Sequence, residues 1–343
     1  LSSRLRQAAS AGEILMDQPT AQRVAQDFVC ESLPPIRVKG KSEPVAVSRA
    51  VSVRRESKRW GAEVPPARRR DLPIVGRQQE LDQVQAIIER VLKGQGQLLV
   101  INGEAGIGKS RLLQALIEMA RDAGMHGYQG DCVSYGTQTP YLPWIDFFNA
   151  FFDLNSVPDD NLMEKIYRIE RRMAAVDPEL ARWAPLIGQT LGLSVQDNDL
   201  TASLNAELRK QRTFELVLAL LRDQARQERL FLMVFEDVHW IDAISLEMLN
   251  YVARNIGDYP ILLVALQRPT IELTEWPRHP YYHRLDLLDL PAESALELVR
   301  HKLRMDEVPP ALRERVLRGE ERLNPFFVEE VINALVDQGY LLA

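Results

Sequence analysis

Three groups of residues in this chain have types and spacings that can do chemistry. Gly103, Glu104, Ala105, Gly106, Ile107, Gly108, Lys109 and Ser110 follow the pattern glycine, four residues, glycine, lysine, serine. Glycines let backbone N–H groups curl around phosphate oxygens without a Cβ in the way. A helix starting near Lys109 points its positive end, worth roughly half a charge, at the same anion. Lys109 can reach the β- and γ-phosphates, and the Ser110 hydroxyl can complete a magnesium shell. The turn between Asn102 and Arg111 is therefore read as wrapping its amides about the tail of a nucleoside triphosphate.

The second group closes the apolar run Phe231-Leu232-Met233-Val234-Phe235, which ends in Glu236 and Asp237. One carboxylate of such a pair holds Mg²⁺ and the other orients or deprotonates an attacking water. With Glu before Asp, which acid plays which part stays open. Arg268, after the next apolar run, is the third element, a cation placed to sense a γ-phosphate. His239, Asp242 and Ser245 are close in sequence, but no glycine-flanked nucleophile turn surrounds the serine, so a hydrolytic triad is not expected. His279 and His283 are four apart with Pro280 between them, and the reading there is a polar loop rather than a metal site.

These groups need a scaffold. Short apolar runs at 97–102, 230–235 and 261–267 alternate with helical periodicity at 80–92, 109–122, 207–228 and 245–256. Buried strands alternating with helices indicate an α/β fold, a parallel sheet with helices on both faces. Residues 140–205 read as mostly helical. Beyond about 290 the chain reads as wholly helical, with segments at 292–303, 310–318 and 326–338. Residues 51–71 hold dense charge and the pair Pro65-Pro66, and read as a linker.

The chain has 343 residues, with 42 Lys and Arg against 48 Asp and Glu, and a net charge of −6. That length predicts about two domains. The acidic balance argues against a nucleic-acid partner. Two cysteines, Cys30 and Cys132, exclude a disulfide scaffold and fit a reducing, cytoplasmic setting. No apolar run is long enough to span a bilayer. The first residue is Leu1 rather than methionine, so the expectation is a piece of a longer protein.

Six motifs in order carry a family resemblance: IVGRQQEL (74–81), GEAGIGKS (103–110), PYLPWIDFF (140–148), VFEDVHWID (234–242), LVALQRP (263–269) and LNPFFVEEV (323–331). The set resembles the STAND branch of AAA+-like P-loop ATPases, signalling enzymes whose nucleotide state switches domain arrangement. The resemblance covers about residues 71–343. It implies a P-loop domain over 72–285 and a helical subdomain over 286–343, with ATP or ADP and Mg²⁺ as cofactors. It implies that Val75, Gly76 and Arg77 lie near the adenine and ribose. Residues 103–111 would bind the phosphates, with Ser110, Glu236 and Asp237 around magnesium and Arg268 as the sensor arginine. Pro325 would match the proline that the family sets against the base, although Leu323 stands where that motif commonly has glycine.

The opening block, residues 1–50, carries a second resemblance. LSSRLRQAASAGEILMDQPTAQRV and LPPIRVKGKSEPVAVSRAV look like the C-terminal part of a class III adenylate/guanylate cyclase domain, an α+β fold. Arg4 then fits the arginine that supports the transition state, and Lys39 fits the lysine near the triphosphate, with Lys41 as its alternative. That family's metal-binding aspartates lie upstream of this stretch, so this piece alone is not expected to make cyclic nucleotide. The combined expectation is a slow, switch-type ATPase module of a cyclase-type regulator. Its implied partners are ATP, the rest of the cyclase domain, further helical domains and protein regulators. The alternatives are a non-hydrolysing nucleotide-bound platform and the ATPase module of a transcription regulator.

Overall fold

The structure, a computed structural model, describes Leu5, Ala9 and residues 13–24, 28–36, 44–53, 59–60, 74–228, 230–270 and 273–338. It divides into two units, Leu1–Glu56 and Ser57–Ala343. In the first, strands β1 (Leu15–Asp17), β2 (Phe28–Ile36) and β3 (Val45–Val53) form an antiparallel sheet in the order β1-β3-β2. Helix α1 (Gln18–Val24) follows β1, and the Asp17 carboxylate accepts the Thr20 amide at its start. The register of β2 on β3 shifts between Leu33 and Ile36, where Pro34 and Pro35 have no N–H to give to a ladder. Arg49 on β3 pairs with Glu13 and Glu31. Strand β3 continues through Val53, into the stretch read as linker. Arg4, Lys39 and Lys41 lie outside the described residues.

The second unit is built on a six-stranded sheet. Its strands are β4 (Arg59–Trp60), β5 (Gln97–Asn102), β6 (His126–Asp131), β7 (Phe231–Glu236), β8 (Ile261–Gln267) and β9 (Tyr282–Asp286). The order is β4-β6-β7-β8-β5-β9. Five strands run parallel, and β4 pairs antiparallel with β6 at the edge, again within the stretch read as linker. Strands β5, β7 and β8 are buried on both faces, which is why they read as unbroken apolar runs.

Successive residues of those strands serve two cores. Leu99 and Ile101 of β5, with Leu232 and Val234 of β7, pack under α2 (Gln78–Leu92) and α3 (Lys109–Asp122). Leu98 and Val100, with Phe231, Met233 and Phe235, face a larger helical layer. That layer contains α4 (Leu142–Phe151), α5 (Leu162–Val176), α6 (Ala184–Thr190), α7 (Asp199–Ala202), α8 (Ala206–Glu228) and α9 (Ala243–Ala253). The PYLPWIDFF segment is its centre. Trp144 stacks on Phe148 and lies 4.8 Å from the Phe235 ring, and its indole N–H donates to the Ser245 carbonyl.

The region beyond 290 is not wholly helical. Strands β10 (Leu290–Pro291) and β11 (Arg322–Leu323) pair antiparallel, and α10 (Ala292–Leu303), α11 (Pro310–Leu317) and α12 (Pro325–Asp337) pack around them with their own core. Leu323 is buried in that core. A side chain is needed there to fill it, which accounts for leucine where the resembling motif has glycine. The region around His279 and His283 also departs from the expected loop. His283 lies in β9, where its ring meets the Gln97 side chain at 2.8 Å and Arg90 at 3.2 Å.

Candidate functional site

The 103–110 turn leaves the end of β5 and is folded as a cradle. Gly106 and Gly108 take positive φ, +76° and +100°, which a side chain would strain. Gly108 caps α3, so the Lys109 and Ser110 amides, in the first helical turn, have no intrahelical acceptor. Ile107 is buried in the core and anchors the turn from below. The Lys109 ammonium donates to the Gly103 and Glu104 carbonyls at 2.8 and 2.9 Å. An ammonium has three donors, so one remains for a ligand. Burial pulls the Lys109 pKa down and nearby Arg268 adds to that, while Asp237 and Glu104 oppose it. A bound anion would favour the charged form for the same reason.

The acid pair faces this cradle. Glu236 ends β7, and one of its carboxylate oxygens accepts the Ser110 hydroxyl at 3.3 Å. The other accepts the side-chain amide of Gln129, which also reaches Asp131. Gln129 is buried on β6, and the parallel register sets Asp131 opposite Glu236. Asp237 has φ +54°, an uncommon conformation for a residue with a side chain, and starts the turn Val238–Trp240. Its charge acts on both Lys109 and His239. Arg268, one residue past β8, acts on the same two groups. Lys109, Ser110, Glu236, Asp237 and Arg268, spread over 160 positions of sequence, thus converge at the ends of three adjacent strands.

The residues implied to meet a base lie around and behind the cradle. Val75 is buried. Gly76 has φ +66°, and a Cβ there would lie 2.6 Å from Ser294 on α10. The Arg77 guanidinium is turned inward. It donates to the carbonyls of Ile107 at 3.0 Å and Leu288 at 2.7 Å and pairs with Glu80. It braces the phosphate turn from behind. Gly76 and Arg77 also line a cleft of about 500 Å³ with Leu288, Asp289, Pro291 and Arg322. Pro325 is the first residue of α12, and its neighbours reach the cradle directly. The Asn324 side chain donates to the Ala105 carbonyl at 3.1 Å, and the Phe326 amide donates to the Gly106 carbonyl at 3.3 Å. A Cβ on Gly106 would sit 2.6 Å from that of Phe326.

In the VFEDVHWID segment Asp242 and Ser245 serve a helix start. Asp242 is the N-cap of α9; its Oδ1 accepts the Ser245 amide at 3.0 Å and the Tyr141 amide at 3.4 Å. Ser245 is fully buried. A buried cap of this kind contributes about 2 kcal/mol. Asp242→Ala is therefore expected to destabilise the protein by about that amount in urea unfolding, whereas Asp242→Asn, which keeps the acceptor, should retain most of it.

Gln129 and Asn324 are the site residues that the motif reading missed. Gln129 left one trace, a polar residue between two glycines two positions before a strand end. Asn324 sits within the LNPFF segment, but its contact is with a residue 219 positions away.

The site can be matched to a fold whose chemistry rests on oxygen donors. The Ser110 hydroxyl and Glu236 carboxylate face each other, and hard oxygen ligands of this kind suit Mg²⁺, with phosphates and waters filling the other positions. Among the described residues no group of three or more His, Cys, Asp or Glu could hold a metal without such help.

A model of the AAA ATPase domain matches residues 73–264. An uncharacterised protein of Rhizobium meliloti (strain 1021) is 24% identical over 334 residues, which is 96% of this chain and 31% of that protein. The chain thus spans about a third of the curated relative it matches. Among solved structures, a Walker-type ATPase of Pyrococcus abyssi is 15% identical with a TM-score of 0.44, over 80% of this chain and 71% of that one. A signal transduction ATPase with numerous domains and a tetratricopeptide repeat sensor, from Pyrococcus horikoshii, is 16% identical with a TM-score of 0.39, over 79% and 34%.

Proposed function

The chain belongs to the AAA ATPase domain family, and we propose that it is a signalling ATPase module that binds Mg·ATP in the 103–110 turn and hydrolyses it slowly. The observation that carries this reading is the Ser110–Glu236 contact, which joins the phosphate cradle to the acid pair. In it, Ser110 and Glu236 take the magnesium side. Lys109 and Arg268 meet the γ-phosphate, and Asp237 orients the attacking water. Magnesium, when bound, neutralises charge on the phosphates.

Closure of the 286–343 subdomain would be the signal. Asn324 and Phe326 hold the carbonyls of Ala105 and Gly106. In a trans peptide the C=O and the following N–H point in opposite directions. Holding those carbonyls therefore sets where the Gly106 and Ile107 amides point, so lid and phosphate act on the same peptide units. A switch from 1:99 to 99:1 needs about 5.5 kcal/mol of differential affinity. Several charge-assisted bonds to a γ-phosphate, at about 1.5–3 kcal/mol each, can supply it.

The first unit, which resembles the C-terminal end of a class III cyclase domain, would receive that signal within a larger regulator. Its α+β sheet is compatible with the resemblance. No helix among the described residues is long and apolar enough to cross a membrane. Phosphate release by the purified chain tests the enzymatic reading. Turnover is expected on the order of 10⁻³–10⁻² s⁻¹, the range of switch-type P-loop enzymes, and should vanish in EDTA. ATP retained for hours without release would instead favour an assembly platform.

A further inference from the structure

Each carbonyl of the phosphate turn from Gly103 to Ile107 is held by a donor. Lys109 takes the first two, and the Asn324 side chain and Phe326 amide take the next two. The last, that of Ile107, accepts from Arg77 Nη2. That amino group has two hydrogens, and it gives the other to the Leu288 carbonyl at 2.7 Å. One nitrogen thus joins the turn to a peptide 181 positions further along the chain.

Leu288 lies where the chain passes from one core to another. Leu285 and Leu287 pack with the sheet under α2 and α3, and Leu290 belongs to the separate core of the region beyond 290. Up to Leu287 the chain is tied to the stem of the turn. The Asn102 side chain donates to Asp286 at 2.7 Å, and the Leu287 amide donates to the Asn102 carbonyl at 2.8 Å. Leu288 is 60% exposed, Asp289 is exposed too, and neither enters a core. Movement between two packed bodies is absorbed by the few residues packed in neither.

We propose that the Leu288–Asp289 peptide is the hinge of the region beyond 290, and that Arg77 couples this hinge to the phosphate turn. This rests on the nucleotide switch proposed above. Arg77 is itself fixed. It is buried at the start of α2 and paired with Glu80, and its guanidinium is rigid and planar. The Gly108 N–H points opposite to the Ile107 carbonyl. A phosphate that draws this N–H turns the carbonyl onto Arg77 and, through the shared amino group, restrains Leu288. Arg77 is then a positioning residue and needs no contact with the nucleotide.

Hydrogen exchange of the full chain, read by mass spectrometry at 103–110 and at 286–291, tests the coupling. Nucleotide-free chain is compared with chain saturated in Mg·ADP, calorimetry gives ADP affinity, and thermal unfolding gives Tm. In the natural protein ADP should slow exchange in both segments, at 286–291 by at least about fivefold. Arg77→Met keeps the length of the side chain and removes its donors. Saturated with ADP, it should still show slowing at 103–110 but none at 286–291, with affinity within about tenfold of natural. A brace that served stability alone would instead raise exchange equally with and without ADP. Glu80→Gln leaves both carbonyl bonds in place and should keep the natural response. Slowing at 286–291 in the methionine variant equal to the natural protein's overturns the proposal. So does equal loss of that slowing in Glu80→Gln. A larger loss of affinity in Arg77→Met at unchanged Tm overturns it as well, because Arg77 would then touch the nucleotide. A natural protein that binds ADP with no change at 286–291 overturns the hinge coupling alone, whether or not the variants fold. One that binds neither ADP nor ATP overturns the nucleotide reading with it.

Discussion

Replacing Lys109 with alanine is expected to weaken ATP binding about a hundredfold, close to 2.7 kcal/mol, in a calorimetric titration. Two losses combine. The ammonium is a buried cation of the cradle proposed to meet the β- and γ-phosphates, and charge-assisted bonds of that kind are the strong ones. The same group holds the Gly103 and Glu104 carbonyls, so its removal also loosens the turn. ATP should lose more than ADP, because the γ-phosphate contributes only to the former. Unchanged ATP affinity would remove the phosphate-binding role from the turn altogether.

Glu236→Gln is expected to lower the rate of phosphate release about 100–1000-fold, as losing one well-placed electrostatic group does elsewhere. The substitution isolates charge from shape. The amide oxygen can still accept the Gln129 side chain, and the amide nitrogen can donate to the Ser110 hydroxyl in place of the present bond. Local packing is thus preserved while the anionic ligand proposed for magnesium is lost. Turnover should recover in part at high Mg²⁺ concentration, because the remaining oxygen ligands still bind the ion. A variant with natural kcat and natural magnesium dependence would move Glu236 out of the metal shell.

The scaffold was legible where local chemistry is strong. Helix α3 begins at Lys109 and ends at Asp122, as the periodicity predicted, because the glycine turn fixes its start. Strands β5, β7 and β8 were visible because burial on both faces demands unbroken apolar runs. Strand β6 was not. Its sequence, HGYQGD, looks like a loop, yet the glycines answer a packing demand made by distant segments. A Cβ at Gly127 would lie 2.5 Å from the Leu232 carbonyl, and one at Gly130 would lie 2.3 Å from that of Pro143. Strand β9, YHRLD, is at the sheet edge and alternates too weakly to stand out. The short β10–β11 pair has too few residues to carry any period.

The candidate site divides along the same line. A spacing motif marks the cradle and the acid pair because their geometry is local. The roles of Gln129, Arg77 and Asn324 arise from contacts between segments far apart in sequence, and nothing in their immediate neighbourhood encodes those contacts. Arg77 is the clearest case. The resemblance assigns it to the nucleotide, and the fold directs its guanidinium to the carbonyls of Ile107 and Leu288. The order of the glutamate and aspartate is ambiguous in sequence, and the proposal that Glu236 takes the metal side rests on a contact with Ser110, 126 positions away.

If the 103–110 turn holds the phosphates of Mg·ATP, titration of the purified chain with ATP, in magnesium and again in EDTA, will show it. Saturable binding at one site per chain is expected, weakened at least about tenfold in EDTA, as the loss of a bridging metal requires. The absence of binding heat in magnesium, or binding that EDTA leaves untouched, would contradict it.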